Sequence, residues 1–323
     1  MNAEPRNASN RDGGAAAKPP RWMSGDAMLA AVPMGAAIRA VQRELRAGLD
    51  PANDLARSIV DLDRGQLLYM PSRFGDYVGA KVSTVAPENP AMGRDRIQGV
   101  YVLMDAATLG PIMLMDGRTL TALRTPAVSA AVADFLAPEH VENLVVFGSG
   151  PQAAGHVEAM MAIRSIDHVS IVARDRDRAA SLVGRLATSG VPADLATAEA
   201  VRGAQIVVCA TTSRTALFDG TLVADDALVV AIGSHEPDAR EVDSALVARA
   251  QLVVEDPTVA LREAGDLLIP IGEGLVDATS LIPMRDVVTG AVVADRSRPR
   301  VFSSSGMPWE DLVVAAEIYR VSR

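Results

Sequence analysis

Gly148, Gly150 and Ala153 stand at the spacing G-x-G-x-x-A, after the apolar run Leu144–Phe147 and at the head of a helical stretch, Gln152–Ile163. This arrangement suits the binding of a pyrophosphate. Gly148 permits the tight turn, Gly150 lets backbone approach the phosphates with no side chain between, and Ala153 lets the helix lie close on the strand. Pro151 and Gln152 complete the turn, and the helix N-terminus then offers N–H groups and a partial positive charge to the anion. A second apolar run, Val169–Ala173, ends at Arg174, with Arg176 and Arg178 close by. An acidic residue at this place accepts from the ribose hydroxyls of NAD, and an arginine suits the extra phosphate of NADP. The pattern favours NADP(H); NAD(H) is the alternative if Asp175 is the ribose acceptor. Thr211, Thr212 and Ser213 follow the run Ile206–Ala210 and reach the same crevice, as cofactor contacts or as cap and turn residues.

The elements that must hold these residues are legible as an alternation. Apolar runs at Leu144–Phe147, Val169–Ala173, Ile206–Ala210, Leu228–Ile232 and Leu252–Glu255 are separated by helical stretches at Gln152–Ile163, Arg176–Leu186 and Arg240–Arg249. Near-continuous apolar strands alternating with helices predict a doubly wound parallel α/β sheet of the Rossmann kind. Ahead of it lie a helical stretch from Ala27 to Gly48 and short runs at Gln66–Met70, Tyr77–Val85, Ile97–Met104 and Pro111–Met115, punctuated like a meander. Thr119–Leu136 and Trp309–Val321 read as helices, the last one placed to pack back on the first part.

Bulk properties narrow the class. A chain of 323 residues fits about two domains. A net charge of −9 without a Lys/Arg block speaks against nucleic-acid binding. The lone Cys209 excludes a disulfide within the chain, suits a reducing cytoplasm and reads as a small core residue. No apolar run is long enough to predict a transmembrane helix. Met1–Pro20 lacks the apolar segment of a secretory signal and reads as a disordered tail. His140, His156 and His168 have no metal-ligand spacing, so no metal site is expected.

Several stretches together go further: Leu120–Ser129 (LTALRTPAVS), the GSGPQA turn, Ala210–Ser213, Ile232–Asp238 (IGSHEPD) and Val301–Gly306 (VFSSSG). In this order they resemble the ornithine cyclodeaminase/mu-crystallin family from about Met23 to the C-terminus. The resemblance implies a substrate-binding and dimerisation domain over 21–125 and 305–323, with a Rossmann domain inserted over 126–304, and a homodimer as the usual assembly. It implies an imino- or amino-acid substrate, with Arg57, Lys81 and Arg124 as the cluster that binds its carboxylate. Charge-assisted donors and an arginine fork fit that task. Gly233 falls in the family's post-strand loop near the cofactor.

Two departures separate the chain from the ornithine-cyclising members. Leu68 stands where they carry an acidic residue ahead of Met70-Pro71, and Ser234-His235 stands where they carry a catalytic aspartate. Pro87–Gly99 and Glu263–Leu267 look more like the Δ1-pyrroline-2-carboxylate and related ketimine reductases. The expected reaction is NAD(P)H-dependent reduction of a cyclic α-imino acid, with His235, then Lys81, as candidate proton donors. Acyclic amino-acid dehydrogenation, cyclodeamination and a cofactor-bound binding protein are the alternatives. Glu310 and Asp311 are adequately explained by the charge at the start of the final helix, with an approach of this turn to the nicotinamide as the alternative.

Overall fold

The structure is a computed structural model that describes residues 19–323. The tail expected over Met1–Pro20 falls outside the described residues except for its last two.

Two sheets organise the chain. The first has six strands: Arg21–Met23 (β1), Ser58–Leu62 (β2), Gly65–Phe74 (β3), Tyr77–Val85 (β4), Ile97–Asp105 (β5) and Pro111–Asp116 (β6). From β2 to β6 they form an antiparallel meander, and β1 adds parallel to β6. The second sheet is wholly parallel. Its strands are His140–Phe147 (β7), Ser165–Val172 (β8), Ala193–Leu195 (β9), Ile206–Cys209 (β10), Leu228–Ala231 (β11), Gln251–Val254 (β12), Ile282–Pro283 (β13) and Arg300–Ser303 (β14). Their order is β13-β12-β14-β11-β10-β7-β8-β9. The chain starts in the middle at β7, winds outward through β8 and β9, then returns to the other side of β7 at β10. A crevice therefore opens between β7 and β10 at their carboxyl ends, where such sheets bind ligands. Every residue of β10, β11, β12 and β14 is buried, as continuous apolar runs covered on both faces should be.

The helices are Gly25–Ala31 (α1), Met34–Arg46 (α2), Gly117–Leu136 (α3), Pro151–Met161 (α4), Arg176–Thr188 (α5), Ser244–Arg249 (α6), Pro257–Glu263 (α7), Gly265–Gly272 (α8), Met284–Val288 (α9) and Pro308–Val321 (α10). The long α3 packs on β5 of the first sheet and on β11, β14 and α4 of the second. Its small buried residues, Ala127, Ser129, Ala130, Ala131 and Ala133, make that double approach possible. A side chain at Gly155 of α4 would collide with Pro126, 2.8 Å from its ring carbon. The expected domain junction at 125/126 thus falls inside one continuous helix. The last helix, α10, buries Trp309, Leu312, Val313 and Val314 against β3, β4, β5, α2 and α3.

Some expected elements differ in extent. The stretch Arg240–Arg249 is helical only from Ser244, because Asp243 caps that helix by accepting from the Leu246 amide, while Asp266 accepts from the Glu241 and Val242 amides. The helical run from Ala27 breaks between Ala31 and Met34, at Val32-Pro33. The short strands β9 and β14 carry no periodic signal of their own, and β14 is inserted between β11 and β12.

Candidate active site

The turn after β7 sits at the crevice. Gly148 has φ +122°, and a Cβ there would lie 2.5 Å from the Ala210 carbonyl at the end of β10, so the two loops touch and only glycine fits. Gly150 is different: a Cβ built on it meets nothing within 4 Å. It is also the N-cap of α4 and supplies no side-chain cap, which leaves the first-turn N–H groups directed at open space. Pro151 is exposed and Ala153 is buried against the strand. Gln152 donates to the Thr121 carbonyl of α3 at 3.5 Å. These features fit a dinucleotide pyrophosphate.

Around that turn, Arg174 and Arg176 are exposed just beyond β8. Asp175 is engaged as the N-cap of α5, accepting from the Arg178 amide at 3.0 Å and pairing with Arg178 Nε at 3.2 Å. On the opposite side, the Thr211 hydroxyl turns inward and donates to Glu241 Oε1 at 2.6 Å, while Thr212 stays exposed. Ser213 donates its amide to Thr211 Oγ1 at 3.1 Å, closing the turn. Glu241 also accepts from the Thr211 amide at 2.8 Å and the Gly233 amide at 2.7 Å, so one buried carboxylate ties the loops after β10 and β11 together. Gly233 is required by this packing, since a Cβ there would lie 2.2 Å from the Thr211 carbonyl. Burial, with Asp266 adding to it, raises the Glu241 pKa to about 7 against the pull of its donors.

Next to the crevice lies a cluster of cations and carboxylates drawn from both halves of the chain. Lys81 on β4 is buried; its Nζ is 2.8 Å from Asp311 Oδ2 and donates to Thr121 Oγ1 at 3.2 Å. Burial drives its pKa down to about 8, opposed by Asp311 and assisted by Arg124. Arg124 on α3 pairs with Glu310, and its Nε lies 3.4 Å from Asp311 Oδ1 without hydrogen-bond alignment. Burial works against its charge, but Glu310, Asp311 and Glu255 outweigh it and hold its pKa above the usual arginine value. Arg57 pairs with Glu263 and donates to the Gly306 carbonyl at 3.0 Å. Among the described residues, the buried Nε donors of Arg57 and Arg124 have no hydrogen-bond partner. Unpaired buried donors call for an explanation, and an anionic ligand supplies one. An open pocket alongside Arg57 reaches Gly306 and Met307.

The structure therefore brings Arg57, Lys81 and Arg124 together, with Thr121 touching both Lys81 and Gln152 and so joining the cluster to the phosphate turn. His235 is near them but differs in character. Its ring is exposed at the cleft, yet crowding by protein and the Arg57 and Arg124 charges push its pKa below the usual histidine value, toward neutral imidazole. His156 is buried between the Gln152 carbonyl and Ser129 Oγ, at 2.8 and 2.9 Å, and serves the α3–α4 contact. Glu255, Glu263, Glu310, Asp311 and Tyr101 were not singled out for this site from the sequence. The Tyr101 hydroxyl is buried above Gly79, in the field of Asp311, with no hydrogen-bond partner among the described residues.

Comparison with known proteins agrees with this architecture. The Ornithine cyclodeaminase/mu-crystallin family model matches residues 31–322. A Δ1-pyrroline-2-carboxylate reductase of Bacillus cereus is 34% identical over 249 residues, covering 75% of this chain and 76% of its own. The ketimine reductase mu-crystallin of Rattus norvegicus is 34% identical over 226 residues, 69% of each chain. The solved Δ1-pyrroline-2-carboxylate reductase of Thermococcus litoralis, in complex with NADH and L-proline, superposes with a TM-score of 0.88 at 26% identity, covering 94% of this chain and 97% of that one.

Proposed function

The chain belongs to the ornithine cyclodeaminase/mu-crystallin family, and from that premise we propose that it reduces a cyclic α-imino acid to the cyclic amino acid. The substrate is Δ1-pyrroline-2-carboxylate or its six-membered homologue, Δ1-piperideine-2-carboxylate, as the names of its relatives suggest. The observation that carries this reading is the convergence of Lys81, Arg124 and Arg57 beside the dinucleotide crevice, with two guanidinium Nε donors unpartnered. Arg124 and Lys81 receive the substrate carboxylate, and Arg57 closes the site from the loop before β2. A bound nicotinamide supplies hydride to the imine carbon. The loops held by Glu241 and the N-terminus of α4 fix where that cofactor lies.

NADP(H) is the proposed cofactor over NAD(H). Arg174 is the first charged residue beyond β8, Arg176 is close by, and the carboxylate between them, Asp175, is already committed to capping α5. The protein is proposed to work in the cytoplasm, as its single buried cysteine suits; among the described residues no helix is long and apolar enough to cross a membrane.

A homodimer is proposed on the first sheet. Lys81 pairs across the strands with Met70 and Tyr101, which fixes one face toward the site. The opposite face carries Val60, Leu62, Tyr69 and Val82, all exposed. A contiguous apolar face of this kind marks a protein contact, and a second copy is the occupant that the family resemblance implies.

The test follows loss of reduced-nicotinamide absorbance with each cyclic imine, using NADPH and NADH in turn. Rapid oxidation with a cyclic imine and preference for NADPH are expected. Turnover confined to pyruvate plus ammonia would replace the reading with an acyclic amino-acid dehydrogenase.

A further inference from the structure

The charge at the start of α10 does not by itself explain Asp311. This residue is the fourth of the helix and is wholly buried. Other groups already serve the helix start. Glu310 Oε1 accepts from the Met307 amide at 3.0 Å, Asp54 Oδ2 accepts from the Trp309 amide at 2.8 Å, and Pro308 has no N–H to satisfy. Among the described residues, no hydrogen-bond donor is aligned on either Asp311 oxygen. A buried carboxylate without such donors has to be held by charge. The cations that face it both belong to the substrate cluster: Lys81 Nζ lies 2.8 Å from Oδ2, and Arg124 Nε lies 3.4 Å from Oδ1.

These two cations differ in what else holds them. Arg124 has an ion pair of its own with Glu310, and its guanidinium packs on Gly306, where a Cβ would lie 2.8 Å from Nη1. Lys81 has the Thr121 hydroxyl, which accepts from it at 3.2 Å. A lysine ends in a compact ammonium with three donors on a flexible stem, so its position depends on its partners. Asp311 from α10 and Thr121 from α3 hold that ammonium from two elements and leave it donor capacity for an incoming carboxylate.

Resting on the reductase reading, we propose that Asp311 is the positioning residue for Lys81: without touching substrate, it keeps the ammonium charged and fixed where the imino-acid carboxylate is received. The electrostatics agree. Burial lowers the Lys81 pKa to about 8, and Asp311 is the strongest influence opposing that fall. Glu310 on the same helix also supports the cation, and Arg124 from α3 works against it. Tyr101, the cross-strand neighbour of Lys81 on β5, and Asp54 from the loop before β2 both lie in the field of Asp311. Removing the Asp311 charge therefore lowers the Lys81 pKa further, and the cation is lost from a lower pH upward.

The test is Asp311→Asn, which removes the charge and keeps the shape. Its readout is the Kd of the NADPH-loaded enzyme for pyrrole-2-carboxylate, a planar anion resembling the imine, measured across pH. An opposite charge this close shifts a pKa by about 1–3 units, so binding should weaken from at least about one pH unit lower than in wild type and be at least about fivefold weaker at pH 8. The KM for the imine should follow, with kcat within about threefold, as loss of binding alone predicts. Asp311→Glu should restore part of the wild-type profile. In Lys81→Gln, which has no ammonium to hold, adding Asp311→Asn should change the Kd by less than about twofold. That paired variant removes both charges together, so it keeps the proposal testable if Asp311→Asn alone does not fold. An unshifted pH profile, or an equal loss in the Lys81→Gln background, overturns the proposal. Tighter binding at pH 8 does so too, since Asp311 would then only compete with substrate for Lys81. A wild-type enzyme inert on both cyclic imines overturns the reductase reading instead, and the pyrrole-2-carboxylate profile still decides the role of Asp311. A wild type that binds this anion at no pH overturns both.

Discussion

Each cation of the site has its own carboxylate: Arg57 with Glu263, Lys81 with Asp311, Arg124 with Glu310. Such pairing makes three positive charges tolerable before substrate arrives, because an isolated buried charge is costly and a paired one much less so. Lys81 remains sensitive. Its protonated form binds the carboxylate, and burial has brought its pKa down to about 8. The cation is therefore present below that pH and lost above it, so the KM for the imino acid should rise by about tenfold per pH unit beyond about 8. Steady-state kinetics across pH would show this rise in wild type and a high, flat KM in Lys81→Gln. The cations were legible in the sequence through family motifs. Their partners were not, since Glu263 and Arg57 are brought together only by tertiary folding and a helix-dipole role already accounted for Glu310 and Asp311.

At the scale of elements, the crevice depends on two loops that share one anchor. Glu241 accepts from Thr211 on one side and from Gly233 on the other. In Glu241→Gln, the amide nitrogen would face a donor and one loop would lose its acceptor. Losing a hydrogen bond to a charged group costs about 1.5–3 kcal/mol. Titration of NADPH by fluorescence should then show a Kd at least about tenfold weaker, with the thermal midpoint only modestly lower. An unchanged Kd would mean that the loops hold their shape without this anchor. Strand-turn-helix order was readable because a buried parallel strand leaves an apolar run and α4 announces itself through glycine spacing. Glu241 was not, because its segment was read as the start of a helix that begins only after Asp243. The short β14 was also hidden, since four buried residues resemble any other core segment.

At the scale of the whole molecule, the first sheet has two faces with different fates. One is covered by α3 and α10; the other shows Val60, Leu62, Tyr69 and Val82 to solvent. If a second copy covers that face, Val60→Asp combined with Tyr69→Asp should shift the sedimentation profile from dimer to monomer. A dimer that survives both charges would place the interface elsewhere. The burial of α10 also gives synthesis a fixed order. This helix leaves the ribosome after every strand of both sheets, yet it fills the core of the first sheet and delivers Glu310 and Asp311. A nascent chain that has not reached Pro308 has Lys81 and Arg124 without these two carboxylates and a sheet with an uncovered interior. Completion of the site and closure of the core are thus the same late event, so a prematurely terminated chain is marked for the cell's quality-control machinery by the apolar surface it leaves open.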